Sequence, residues 1–211
     1  MALEHQNLDI INAACAMLGA DPVQSLEDDV DGAGPAGVLY QHVVDFNLAV
    51  YPFTWARRHF QLSVDDFAGE LASGYRFAFD LPPDRLGQPL YITDTVKDRE
   101  RRFHDYALVG DKVHADRNPL WAFCAFRPDP KDWDPLFRLA TITAVASALA
   151  LPLTSDRNAR DDLARAAYGN LSENFKGGQI GAAIRSDAFS TPPRPTGWAQ
   201  DNVLVNARRG F

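Results

Sequence analysis

The central helix of this protein is predicted by residues 134–152, DPLFRLATITAVASALALP. Asp134 is a favourable N-cap residue and Pro135 is favourable in a first helical turn, so the helix is expected to begin here. Apolar residues recur nearly all the way round it, at Leu136, Leu139, Ile142, Val145, Ala146 and Leu149. A helix that is apolar on every side is normally buried. We therefore expect residues 135–151 to form the core helix and Pro152 to end it.

Three further helices are predicted, two before this segment and one after it. Apolar residues at helical spacing place them at about residues 7–19, 35–51 and 156–176. Gly19 is expected to end the first helix, and Pro52 the second. The pair Gly177-Gly178 is expected to kink or end the last. Together with the central helix, these segments predict an antiparallel four-helix core.

Residues 57–127 have the alternation that is typical of strands. Phe77, Phe79 and Leu81 alternate with other residues, and Gly110-Asp111 is a favourable hairpin turn. Residues 121–126 are apolar on both faces, as in a central buried strand. The predicted fold is α+β and mainly helical, with a small antiparallel β-sheet inserted between the second and third helices. Residues 1–189 form the core in this prediction, and residues 190–211 form an extended C-terminal arm.

Composition and charge restrict the class of function. The 211-residue chain has 28 acidic and 21 basic residues, a net charge of −7, so a basic surface that wraps DNA is not expected. Its longest apolar run is about half of what a bilayer crossing requires, which predicts no membrane span. The N-terminus lacks the residue order of a secretory signal. Cys15 and Cys124 lie in apolar settings and are predicted to be reduced core residues of a cytosolic protein.

Residues that carry enzyme chemistry form no recognisable motif. The five histidines are scattered, and no serine lies in a G-x-S-x-G sequence. Residues 27–32 match the first positions of a calcium-binding loop, but Val38 occupies the position of its bidentate glutamate, which favours a solvated loop. Pairs of carboxylates for a glycosidase could come from Asp65, Asp66, Glu70 or Asp105. We expect no catalytic residue, no metal and no cofactor.

Aromatic residues cluster between the second helix and the first strand. Tyr51, Phe53 and Trp55 alternate around Pro52 and are followed by arginines. A platform for stacking nucleic-acid bases would need more basic residues around it than this acidic chain provides. The pattern therefore favours a buried junction between helix and strand.

The C-terminal segment 190–211 differs from the rest of the chain. Three prolines oppose regular structure, and three arginines against one aspartate give the segment a local charge of +2. Trp198 has nothing local to pack on, so we expect it to anchor to a partner. Val203 and Val205 would share one face of an added strand. The predicted contact residues of this docking arm are Arg194, Trp198, Val203, Val205, Arg208 and Arg209.

The order of several segments resembles one family of virion proteins. Ile11-Asn12, Leu18-Gly19 and Pro22-Val23 come first, and an Ala-rich helix then leads to an aromatic-Thr-aromatic turn. The further segments are residues 25–28, 53–57, 74–84, 129–137 and 149–154. Their order and spacing are similar to those of the tail tubular protein A type of head-to-tail adaptor of tailed bacteriophages. The resemblance covers roughly residues 8–176, and the Gly177-Gly178 pair departs from it.

This resemblance implies a structural protein of the virion neck and tail that is made in the host cytoplasm. It implies a dodecameric ring beneath the portal protein, which extends the DNA channel and carries the next tail protein (a nozzle, stopper or tube terminator). DNA would meet it only transiently, without sequence-specific binding, and no membrane or cofactor is implied. A virion-associated peptidoglycan hydrolase and a soluble interaction module unrelated to virions are the alternatives.

Acidic loops are expected to line the channel or to face the next tail ring. Negative walls repel phosphates and so prevent DNA from adhering as it passes. The densest acidic runs supply the predicted residues: Glu27, Asp28, Asp29, Asp31, Asp65, Asp66 and Glu70.

Truncation after Phe189 is predicted to separate folding from docking. The shortened protein should keep its melting temperature within a few degrees, because the arm contributes contacts to a partner rather than to the core. Binding to portal rings should be lost, and Trp198→Ala alone should weaken it by on the order of 2 kcal/mol per subunit. Thermal melting and co-sedimentation with portal rings measure the two effects. A truncated protein that assembles on portals as well as the full chain would contradict this prediction.

Overall fold

Helices lie at both ends of the chain and strands lie between them in the computed structural model, which describes residues 2–25, 33–65, 71, 73–96 and 102–190. The helices are α1 (Ala2–Met17), α2 (Ala33–Val50), α3 (Pro135–Thr154), α4 (Arg157–Tyr168) and α5 (Gly178–Ser190). The strands are β1 (Arg57–Gln61), β2 (Ser63–Val64), β3 (Phe77–Asp80), β4 (Arg85–Thr93), β5 (Tyr106–Val109), β6 (Lys112–Ala115) and β7 (Trp121–Phe126). Short 3₁₀ turns occur at Thr54–Ala56, Pro130–Asp132 and Leu171–Glu173.

This architecture shows that the predicted fold class was wrong. The described residues form five helices and two antiparallel sheets, rather than a four-helix core with one small inserted sheet. One sheet has the strand order β1-β7-β4, and the other has the order β2-β3-β6-β5. The seven strands therefore build a second layered unit with its own core, and the region is more than a small insertion.

The helix boundaries explain part of that error. The predicted helix at 156–176 is wrong, because α4 ends at Tyr168 and α5 begins ten residues later, at Gly178. Gly169, with φ 76°, ends α4 in a backbone conformation that favours glycine. α3 continues past Pro152 to Thr154, because a proline in the last turn removes only one hydrogen bond. Ser155, with φ 56°, then ends α3.

α3 is the centre of the helical body and contacts each of the other four helices. Its start is as predicted, since the Asp134 carboxylate accepts a hydrogen bond from the backbone N–H of Leu136 at 2.9 Å. Phe137, Val145 and Leu149 are fully buried. By length and apolar composition α3 could also cross a membrane, but 56% of its apolar window is buried inside the protein. In this structure it is a core helix.

A buried polar link joins three of the helices. Asn47 of α2 is fully buried, and its amide nitrogen donates to the Thr141 hydroxyl of α3 at 3.1 Å. The Tyr168 hydroxyl of α4 donates to the Asn47 amide oxygen at 2.8 Å. Burial raises the pKa of Tyr168 to about 12, as expected for a hydroxyl removed from water. Polar groups that satisfy one another in this way fix the relative positions of α2, α3 and α4.

The two sheets contribute to one apolar core of their own. Ile92, Ala122 and Cys124 of the first sheet are buried together with Phe79 and Val113 of the second. Cys124 is a free, buried cysteine, as predicted for a reduced core residue, and burial raises its pKa to about 11. β7 lies at the centre of the first sheet, and β5 and β6 form the predicted hairpin around Gly110-Asp111.

The aromatic junction between α2 and β1 is buried, as the sequence favoured. Phe53 is 1% exposed, and its ring lies 4.9 Å from that of Phe137. Trp55 and Trp133 also pack on the Phe137 ring, at 4.9 and 5.1 Å between centroids. This aromatic group fastens the start of β1 to the start of α3.

Asn47→Ala is predicted to lower the free energy of unfolding by about 2–3 kcal/mol, because it leaves the Thr141 and Tyr168 hydroxyls buried without their partner. Tyr168→Phe removes only one of the two hydrogen bonds and should cost about 1–2 kcal/mol. Urea denaturation of both variants measures the effects. An Asn47→Ala protein as stable as the wild type would contradict the role given to this link.

Candidate functional site

Most of the predicted site residues lie outside the part of the chain that the structure describes. These are all six residues of the docking arm (Arg194, Trp198, Val203, Val205, Arg208, Arg209) and the acidic residues Glu27, Asp28, Asp29, Asp31, Asp66 and Glu70. Asp65 is described: its carboxylate and that of Asp80 accept hydrogen bonds from Lys112 Nζ at 2.6 and 2.7 Å. These hydrogen bonds raise the pKa of Lys112. Asp65 belongs to an ion cluster on the second sheet, and its expected position in a channel stays a prediction.

A serine and a histidine meet on the second sheet. Ser73 Oγ lies 2.7 Å from Nδ1 of His114, which is 7% exposed. A hydrolytic triad needs a carboxylate on the other ring nitrogen, and no described carboxylate is bonded to His114. The contact instead ties the preceding turn to β6, together with a hydrogen bond from the Arg76 backbone N–H to Asp116. Among the described residues, no group of three or more His, Cys, Asp or Glu side chains could hold a metal ion.

A cleft of about 430 Å³ lies along the C-terminal half of α4 and the turn that follows it. Its walls include Ala164, Arg165, Tyr168 and Phe175. Beside it the rings of Phe46, Tyr168 and Phe175 meet edge to face, with centroids 5.3–5.9 Å apart. Phe46 is 40% exposed and Phe175 is 46% exposed. We call this feature the aromatic cleft; it presents apolar rings to solvent next to an open cavity.

The turn that supplies Phe175 to the cleft has an unfavourable backbone conformation. Asn174 and Phe175 have φ of 50° and 60°. Asparagine tolerates this region, but a bulky residue such as phenylalanine rarely adopts it, at a cost of about 1–3 kcal/mol. The Glu173 carboxylate stabilises the turn by accepting a hydrogen bond from the backbone N–H of Asn170 at 2.7 Å. The strain is therefore maintained by specific contacts around it.

Two glycines make room for that carboxylate. A Cβ atom at Gly169 or Gly177 would overlap the Glu173 side chain. The Gly177 backbone N–H also donates to the Tyr168 carbonyl at 3.2 Å, which brings the start of α5 against the end of α4. Gly169 itself lines the aromatic cleft, and Gly177 joins the turn to the start of α5.

The other end of α5 presents an isolated aromatic ring. Phe189 is 88% exposed. The last turn of α5 is nevertheless fixed, because the Asp187 carboxylate accepts hydrogen bonds from the Thr54 backbone N–H at 3.0 Å and the Thr54 hydroxyl at 2.6 Å. A phenylalanine held in this position leaves on the order of 150 Å² of apolar area in water. An anchored helix end that carries such a ring is a candidate contact point.

A face of arginine and aromatic residues covers the outer side of the first sheet. His59, Phe123 and Tyr91 lie opposite one another on β1, β7 and β4, with ring centroids 4.5 and 4.8 Å apart. The guanidinium of Arg57 lies 5.5 Å from the Phe123 ring, and that of Arg102 lies 5.3 Å from the Tyr91 ring. Because the rings pack on one another and under guanidiniums, they are poorly placed to stack on bases. Aromatic and arginine residues of this kind are typical of protein interfaces.

Neither protein-family models nor curated proteins provide a match to this chain. The geometry of the described residues gives three candidate sites: the aromatic cleft, the exposed ring of Phe189 and the arginine–aromatic face of the first sheet. Sequence patterns did not predict these three surfaces. Phe175 has helical spacing from Tyr168, which favoured one continuous helix, and only the Gly177-Gly178 pair indicated a change of direction.

At Phe175 the glycine variant is predicted to be more stable than the alanine variant, which reverses the usual order of stability. Alanine normally exceeds glycine in stability by about 0.5–1 kcal/mol in a helix. At Phe175, with φ 60°, the glycine variant should be the more stable by roughly 1 kcal/mol, because glycine alone adopts this conformation without strain. Urea denaturation of Phe175→Gly and Phe175→Ala measures the difference.

Phe189 provides the matched control, because it lies in α5. There the alanine variant should be more stable than the glycine variant. An alanine variant at 175 that equals or exceeds the glycine variant would show that the turn is unstrained.

Proposed function

We propose that this protein is a structural head-to-tail adaptor of a tailed phage virion and has no catalytic activity. Copies form a ring beneath the portal protein, dodecameric as the resemblance implies, after synthesis in the host cytoplasm. The ring extends the DNA channel and attaches the next tail protein. DNA passes through it transiently, without sequence-specific contacts, and neither a cofactor nor a membrane takes part.

The observation that carries this proposal is the presence of unlike contact surfaces on one subunit. The aromatic cleft is concave and apolar, the Phe189 ring protrudes, and the arginine–aromatic face is cationic. Surfaces that differ in this way suit head-to-tail contacts, in which each copy binds a different part of the next. Such heterologous contacts close into rings when the rotation between copies permits it.

Charge and motif order support the same function. The chain carries −7 overall, and an acidic ring repels a passing phosphate backbone instead of binding it. The order of the sequence segments over residues 8–176 is similar to that of phage adaptors. The docking arm at 190–211 is proposed to contact the portal.

A hydrolase is less well supported by the described residues. A glycosidase needs one carboxyl group that stays protonated as a general acid. The described candidate Asp65 instead forms an ion pair with the Lys112 ammonium, which it shares with Asp80. Ser73 and His114 lack a described third partner. A purified protein that releases fragments from peptidoglycan would favour the hydrolase.

The pure protein is predicted to sediment as a monomer or a weak equilibrium, and to form a large complex when portal rings are added. The chain has a core of its own, so it does not need a partner in order to fold, whereas its exposed contact surfaces do need one. Sedimentation velocity with and without portal rings measures this. An unrelated dodecameric ring serves as the control. Unchanged sedimentation in the presence of the portal would contradict the adaptor function.

A further inference from the structure

We propose that Phe189 of one copy inserts into the aromatic cleft of a second copy of this chain. The inference rests on the proposed ring and names the contact that builds it. The occupant of the cleft is an aromatic side chain of the same sequence, supplied by another copy.

The ring of Phe189 is kept away from the cleft of its own chain by the length of α5. Tyr168 of the cleft is held beside the start of this helix, because the Gly177 N–H bonds to the Tyr168 carbonyl. Phe189 follows Gly178 by eleven residues in the same helix. At a rise of 1.5 Å per residue, this separation is about 16 Å. A phenylalanine side chain does not span that distance.

Contacts from α2 and from the segment that follows it reach the cleft and the last turn of α5. Phe46 of α2 touches the cleft residues Tyr168 and Phe175. Eight residues further along the chain, Thr54 binds Asp187 in the last turn of α5. The contacts of Asp187 therefore hold the last turn of α5, which carries Phe189, at the end of the helix that lies away from Gly178. The ring and the cleft can meet only between two copies.

The cleft fits an aromatic side chain in size and chemistry. Its volume of about 430 Å³ exceeds what one phenyl ring occupies. Ala164 leaves the space open, and the rings of Tyr168 and Phe175 offer the edge-to-face contacts that aromatic pairs prefer. Aromatic anchors buried in pockets contribute most of the binding energy of many interfaces. Because Phe175 is held in a strained turn, the cleft is formed before the partner arrives.

The contact has a direction, which determines what it can assemble. Each copy would donate Phe189 from one end of α5 and accept another Phe189 at the other end. A contact between two different surfaces leaves one of each unoccupied on every dimer, so further copies add until a ring closes. In a two-fold symmetric dimer the contact would have to occur twice, once in each direction.

Disulfide trapping tests the contact even if association is weak. Ser190→Cys, which keeps the Phe189 ring, and Asp161→Cys, on the wall of the cleft, are prepared as separate proteins, mixed at high concentration and oxidised in air. The native thiols of Cys15 and Cys124 are 1% and 0% exposed, so they should not compete. The control mixes Asp161→Cys with Val109→Cys, whose valine is 48% exposed on β5. We expect the first mixture to form 1:1 cross-linked dimers at least about tenfold faster, and equal rates would overturn the proposal.

Complementation tests the direction of the contact. Phe189→Ala lacks the ring, and Ala164→Trp fills the cleft. Each alone should associate about 30-fold more weakly than the wild type, the factor that corresponds to loss of a 2 kcal/mol anchor. A mixture of the two retains one intact contact, so sedimentation should show 1:1 pairs and nothing larger. Val109→Ala should behave as the wild type. A Phe189→Ala protein that associates normally, or a mixture that stays monomeric while the wild type associates, would overturn the proposal.

These outcomes can be separated from those of the adaptor function. If trapping fails but rings form on portals, the proposed contact is wrong and the adaptor function stands. If trapping succeeds but the portal is not bound, the contact stands and the adaptor function is wrong.

Discussion

The burial of α3 is the constraint on which the other elements depend. α1, α2, α4 and α5 each pack on this helix, so their positions follow from its apolar surface. Phe53, Trp55 and Trp133 also pack on the ring of Phe137 near the start of α3. These contacts connect the strand region to the helical body. Asn47 fixes the relative positions of the packed helices, because its amide forms hydrogen bonds with one hydroxyl on α3 and another on α4. The ends of α4 and α5, where the aromatic cleft and the Phe189 ring lie, are therefore placed by the same core.

Local patterns predicted the elements whose causes are local. Asp134 and Pro135 mark the start of α3, and both take the positions expected of them. Gly19 follows α1 with φ 66°, and residues 121–126 are a central strand because apolar side chains occupy both faces. Pairing between strands was not predictable in this way. β3 pairs with β6, whereas β4 pairs with β7 across a shift in register, and alternation within one strand does not specify its partner.

The aromatic cleft depends on contacts that a linear pattern does not contain. Tyr168 and Phe175 are seven residues apart, a spacing that a continuous helix would also produce. A carboxylate at Glu173, with room provided by Gly169 and Gly177, selects the tight turn instead. Phe46 joins the cleft from another helix altogether. The exposure of Phe189 likewise depends on where Asp187 ties the end of α5, more than 130 residues along the chain from Thr54.

The proposed contact between the two unlike ends of α5 would make self-assembly directional, and the proposed virion adaptor function requires such a direction. The most direct test of this account is an electron cryo-microscopy map of the protein mixed with portal rings. The account predicts a closed ring in which every subunit contacts its neighbour in the same head-to-tail sense, with Phe189 seated in the adjacent aromatic cleft. A map with two-fold paired subunits, or one in which the clefts face solvent and Phe189 contacts nothing, would contradict it.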